Sequence, residues 1–470
     1  MTTPAPRPRP AGSAEPDASP GGSSAEWSVA WSEAREIAHA AGASLPLEPR
    51  EEQLYDCDGR VLAQDVLALT DLPPFDASMV DGYAVRGPGP WRIVARVPAG
   101  SVPEPLTVPG TGVRIATGAM VPQGTEAIVR TEEAADEGGA LIHGTPRQRR
   151  ERRSRGETAR QGAVLVRAGT PITPGVIGTA ASAGHDALLV YPRPRMAIVV
   201  IGSGLTTSGL PGAGRIRDAL GPQLPAWAAR LGFEVSAVIG PVPHDADACR
   251  EAVARALAAG AELLVTAGGS GYGPDDRLRA ALESFGAERL IDSVRARPGK
   301  PLRLARLAGP DGGGGGGNRG GGARGASAVG RGDVRGALAV GLPGNPQPAI
   351  LGLLTLAVPA AAGLTRRPLP PLATVTLGGP ITARGGVTRL ALCHLDAEGR
   401  AHPVERTAAS DGAGGAAAVR APGLAGAAGF AVVAPGAGAA EGERVPFLPL
   451  PVALPLPVTL LSPLLSPPAG

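Results

Sequence analysis

From about residue 193 to 367 the chain alternates unbroken apolar runs with longer helical stretches. "RMAIVVIGSG", "AELLVTAGG" and "GALAVGLPG" are rich in β-branched or aliphatic residues and each runs into glycine, the pattern of strands buried on both faces. Between them, "DADACREAVARALAAG" and "DDRLRAALESFG" have helical spacing. Strands separated by helices pair in parallel, because the crossover returns the chain to the same end of the sheet. The segment predicts a doubly wound parallel α/β domain. Ligands of such sheets bind beyond the carboxyl ends of the strands.

Two loops hold that position. The first, "TAGGSGYGPDD" at 266–276, carries Gly268, Gly269, Ser270, Gly271 and Gly273. Its glycines let successive N–H groups turn inward as an anion nest, at the positive end of the following helix. Asp275 and Asp276 open that helix, as caps or as carboxylates beside a phosphate. The second loop, "GLPGNPQP" at 341–348, offers Pro343, Gly344, Asn345 and Pro346, with Asn345 placed to cap a helix and Pro346 to begin it. Between the loops lies "RARPGKPLRL", with Arg297 and Lys300.

Lys300 is the single lysine among 45 basic residues. A bias toward arginine explains the others, since either residue serves as a solvated charge. A compact ammonium is not interchangeable with a planar guanidinium where phosphate is met in a tight space. Three turns converging on one sheet edge, one bearing this lysine, predict a phosphate pocket. The spacing excludes a Walker A loop, which requires GxxxxGK[ST].

The rest of the chain reads as smaller units. Residues 1–26 form a polar tail without an apolar signal core, and residues 451–470 a tail broken by proline, improbable as a membrane helix. Residues 27–66 read as a helix, a turn and a second helical piece; 85–150 and 368–450 read as short strands between Gly and Pro turns. The glycine-rich stretch 309–332 reads as a flexible insertion. The arginine-rich run 147–155 has no aromatic residues interleaved for base stacking and reads as a solvated loop, so no nucleic-acid partner is expected. Net charge is only +3. Three scattered cysteines without a CxxC suit a reducing cytoplasm.

These loops in this order, with "DLPPFDASMVDGYAV" and "IATGAMVPQGTEAIVRTEE" upstream, resemble the molybdopterin molybdenumtransferase family (MoeA-type, related to the E domain of gephyrin) from about residue 27 to 450. The resemblance implies an α/β multidomain chain: an elongated N-terminal α+β domain (27–84 and 151–192), a small β-domain inserted in it (85–150), the molybdopterin-binding α/β domain (193–367) and a C-terminal β-barrel-like domain (368–450). It implies a homodimer with the site between the α/β domain of one subunit and the N-terminal part of the other. The implied reaction inserts molybdenum from molybdate into adenylylated molybdopterin and releases AMP, with Mg²⁺ as cofactor. Implied partners are the molybdopterin adenylyltransferase and molybdoenzyme maturation proteins.

Carried onto this chain, the family's motifs imply catalytic roles for Asp81, Thr117, Asp218, Asp276 and Lys300, with Asp218 and Asp276 at the metal. Arg297 stands where the family has a basic residue before "PGKP". There are departures. "RGET" places Thr158 at an expected aspartate, and "GSGL" places Ser203 and Gly204 at two expected acids; a serine expected in the last domain is missing from "GGAAAV". The retained aspartates favour a working transferase. The missing carboxylates favour the alternative, a weakened paralogue that binds the pterin or nucleotide as a carrier. An adenylyltransferase fits less well, because the upstream motif belongs to the transferase type.

Overall fold

The computed structural model describes residues 28–138, 140–145, 151–269, 276–299, 301–307, 336–383, 385–404, 423–436 and 438–451. At its centre is a six-stranded sheet in the order Glu234–Val242, Arg195–Ile201, Leu263–Ala267, Ala337–Leu342, Arg303–Leu307, Glu288–Ile291. The first four strands are parallel. Arg303–Leu307 runs antiparallel to both its neighbours, so the sheet is mixed where the sequence predicts all-parallel. Only residues 292–302 separate Glu288–Ile291 from Arg303–Leu307, too few for a helical crossover, so the two strands pair antiparallel.

Both faces of the sheet are covered. Leu263, Val265 and Ala267 join a core formed with helix Leu220–Arg230 and the long helix Pro346–Leu364. Leu264 joins the opposite core, with helices Ala246–Ala258 and Arg277–Ser284. Pro346–Leu364 is long and apolar enough to cross a membrane by length and composition, yet 83% of it is buried inside the protein as a core helix. Helix Trp31–Ala43 also docks here. A Cβ on Gly42 would lie 2.0 Å from the Ala360 carbonyl oxygen, and one on Gly363 would lie 2.2 Å from that of His39, so only glycines allow this approach. The Trp31 indole N–H donates to the buried Thr355 hydroxyl at 3.1 Å.

The second helical piece expected before residue 66 is absent. Arg50–Gln53 is instead a strand paired with Ala187–Tyr191, followed by a single 3-10 turn and the short strands Val61–Leu62 and Val66–Leu67. Three of its four residues are exposed, which suits an edge strand of that sheet. A six-stranded sheet spans residues 82–144, with Gly82–Arg86 as an inner strand. The arginine-rich run is not wholly a solvated loop. The Glu151 carboxylate is buried and paired with Arg130 at 2.9 Å, and Arg152–Arg153 pairs with Ala77–Ser78. The stretch 309–332, residues 1–26 and residues 452–470 lie outside the described residues.

The C-terminal sheet recruits strands from elsewhere in the chain. Its path runs Ser28–Ala30, Ser293–Arg297, Thr388–Leu395, Gly429–Val433, Arg444–Pro449, Ala373–Thr376, with Ala401–Pro403 paired to Thr388–Leu395. Bridges from Leu377 to Ala401 and from Ile381 to Ala439 curl it. It shares Ser293–Arg297 with the α/β part of the chain.

Candidate functional site

Three strand ends meet at the carboxyl edge of the central sheet. After Ala267 the chain enters Gly268 and Gly269, at φ +83° and +67°. A Cβ on Gly268 would lie 2.3 Å from the Ile201 carbonyl oxygen, so the backbone there is both left-handed and pressed against the neighbouring strand end. Its N–H donates to the Leu342 carbonyl at 3.1 Å. A Cβ on Gly344 would come within 3.7 Å of the Gly268 Cα, which places the 343–345 loop directly against the first. Asn345 caps the long helix, its Oδ1 accepting from the Gln347 N–H at 3.2 Å, and Pro346 opens it.

The third turn reaches the same edge from the antiparallel strand. Arg303 pairs opposite Gly341, at the carboxyl end of Ala337–Leu342. The start of its strand lies beside the end of Ala337–Leu342, from which the 343–345 loop leaves. Arg297 is exposed and ends Ser293–Arg297, opposite Arg389 of the C-terminal sheet. Lys300, Ser270, Gly271, Gly273 and Asp275 lie outside the described residues.

The aspartates have definite partners. Asp276 is buried and caps Arg277–Ser284, its Oδ1 accepting from the Arg279 N–H at 3.1 Å. Its Oδ2 accepts from the Arg303 guanidinium. Sequence reasoning missed Arg303. The signal was there: in "RLARL" it shares a strand face with Ala305 and Leu307, which sit in an apolar core. A charge on an apolar face predicts a buried partner. Asp218 is also buried, and its Oδ1 accepts from the Leu220 and Gly221 N–H groups, both at 2.9 Å, at the start of Leu220–Arg230.

Asp81 and Thr117 are bonded to each other. Asp81 Oδ1 accepts from the Thr117 N–H at 2.7 Å and from its hydroxyl at 3.0 Å. The Thr117 N–H first, then its hydroxyl, holds the carboxyl below its ordinary value. Both residues are exposed, beside the 82–144 sheet. Among the described residues, their recorded hydrogen bonds do not reach the glycine loops.

The substituted positions have structural bonds of their own. Thr158 Oγ1 accepts from Arg153 at 2.7 Å, and Ser203 Oγ accepts from the His244 N–H at 2.9 Å. Glu157, next to Thr158, caps its own turn by accepting from the Ser154 N–H at 2.8 Å. Among the described residues no three His, Cys, Asp or Glu side chains gather as metal ligands. A hard divalent cation needs several oxygen donors. With Asp276 bound to an arginine, and Thr158 and Ser203 in place of carboxylates, the described residues do not fit a carboxylate-held Mg²⁺.

Comparisons with known proteins show which family the chain resembles. Residues 29–184 match the MoeA N-terminal region (domain I and II), and residues 197–363 match a probable molybdopterin binding domain. A molybdopterin molybdenumtransferase of Synechococcus elongatus is 34% identical over 59% of this chain and 72% of its own length. The chain belongs to the molybdopterin molybdenumtransferase family. A family member of the same name from a Nostoc species is 33% identical over 55% of this chain and 61% of its own. The crystal structure of a molybdopterin biosynthesis MoeA protein from Pyrococcus horikosii shares the fold, with a TM-score of 0.67 at 20% identity, covering 91% of this chain and all of that one.

Proposed function

We infer that this chain inserts molybdenum from molybdate into adenylylated molybdopterin and releases AMP. The observation that carries this reading is the convergence of the Gly268 loop, the 343–345 loop and the turn before Arg303 on one sheet edge, in a chain 34% identical to a molybdopterin molybdenumtransferase. The left-handed Gly268–Gly269 turn and the N-terminal end of helix Pro346–Leu364, at the same sheet edge, suit the phosphates of a pterin nucleotide. In this reading Lys300 and Arg297 supply positive charge at that edge, Asp276 and Asp218 fix the helix starts that shape it, and Pro343 and Pro346 stiffen the second loop.

Asp81 and Thr117 enter the reading through a second subunit. Their recorded bonds are made away from the glycine loops, and the homodimer implied by the sequence brings them to the partner's edge. The chain acts in the cytoplasm, after the adenylyltransferase that supplies its substrate and before the maturation proteins that receive its product. The alternative, a carrier that holds the nucleotide without turnover, is favoured by the structural bonds taken up at Thr158 and Ser203.

Single-turnover conversion of adenylylated molybdopterin, following AMP release with and without molybdate, separates the two. Molybdate-dependent AMP release is expected. Tight nucleotide binding with no AMP released would leave the carrier reading.

A further inference from the structure

We propose that Arg303 stands, at Asp276, where a divalent cation would otherwise be needed, so that this edge takes an anionic phosphate without a carboxylate-held metal. The proposal rests on the phosphate site inferred above. Both oxygens of Asp276 are engaged, one by the Arg279 N–H and one by Arg303. The two side chains are 4% and 16% exposed, so the pair is screened little by solvent. A resident guanidinium on the carboxylate neutralises its charge and repels a second cation.

The arginine is built into the sheet. Arg303 lies opposite Gly341, where a Cβ would come 3.2 Å from the Arg303 Cβ and 3.8 Å from its Cδ. The bare glycine therefore leaves the space over which the arginine stem runs toward Asp276. On the same α/β part of the chain, Ser203 brings a hydroxyl already bonded to the His244 N–H, and Asp218 Oδ1 takes two backbone donors. The net effect is an edge with its negative charge neutralised from within, which favours phosphate over a metal ion.

The test uses the full chain and two probes. Mn²⁺ is titrated by electron paramagnetic resonance, and AMP binding is measured by calorimetry in Mg²⁺ and in EDTA. The wild-type chain should show no Mn²⁺ site dependent on Asp276, and its AMP affinity should change less than about twofold, against the roughly fivefold or greater change of a typical coupled ligand. Arg303→Met should make AMP binding Mg²⁺-dependent by about tenfold. Adding Asp276→Asn should remove that dependence. A wild-type Mn²⁺ site lost in Asp276→Asn, or AMP affinity that collapses in EDTA, overturns the proposal. If Arg303→Met does not fold, the wild-type titration against Asp276→Asn still decides. If AMP binds under no condition, the phosphate-site reading fails. The Mn²⁺ titration then judges Arg303 separately, a silent wild type with a site gained in Arg303→Met upholding it.

Discussion

The carboxylates of Asp276 and Asp81 are held in opposite ways. Asp276 is buried at the foot of a glycine loop, with an arginine on one oxygen and a helix start on the other. Asp81 is exposed, and its recorded side-chain bonds come from Thr117, a neutral residue. The first is a structural charge whose field is cancelled within the chain. The second keeps its negative charge facing outward, available to a substrate or a second subunit. Two aspartates that both match family motifs therefore contribute to different quantities, one mainly to folding and one to recognition.

Asp276→Ala should produce the largest effect. It leaves Arg303 buried without its carboxylate, at a cost of about 3–5 kcal/mol, and removes a helix cap. A urea midpoint unchanged from wild type would break the comparison at once. Gly268→Ala comes next. It forces a side chain into a left-handed backbone beside the Ile201 carbonyl, at roughly 1–3 kcal/mol, and should weaken AMP binding with the fold retained.

Asp81→Asn should alter stability least while lowering AMP release in single turnover. The carboxyl is held below its ordinary value in the folded protein. Its stabilising contribution is therefore present above the unfolded value, near pH 4, and is lost as pH falls through the folded value. The asparagine variant should lose less stability than wild type over that acid window, measured by thermal melting. Equal acid sensitivity would show that Asp81 is no more than a surface charge.

Much of the central sheet was legible because its strands are continuous apolar runs ending in glycine, and the same glycines marked two of the converging loops. The return of 303–307 in the opposite direction was not legible. Its "RLARL" shows an alternating face but not a direction, and only its pairing with Ala337–Leu342 defines that. The strand Arg50–Gln53 was misread because "REEQ" has no apolar signal at all, and its partner at 187–190 is far along the chain. At the site, Asp276 and Asp218 were visible by motif, but their bonds were not. A sequence shows that a carboxylate is present; it does not show that an arginine from another strand already occupies it. The positions 158 and 203 illustrate the same limit, since a hydroxyl in place of a carboxylate says nothing of the Arg153 and His244 donors that reach it.

Ser293–Arg297 belongs to the curled C-terminal sheet, whereas Arg303 begins a strand of the central one. The short stretch 298–302, which includes the chain's single lysine by sequence, is therefore strung between two separate sheets like a span between piers. The placement of the C-terminal sheet against the central one therefore fixes how far apart the two ends of that stretch stand.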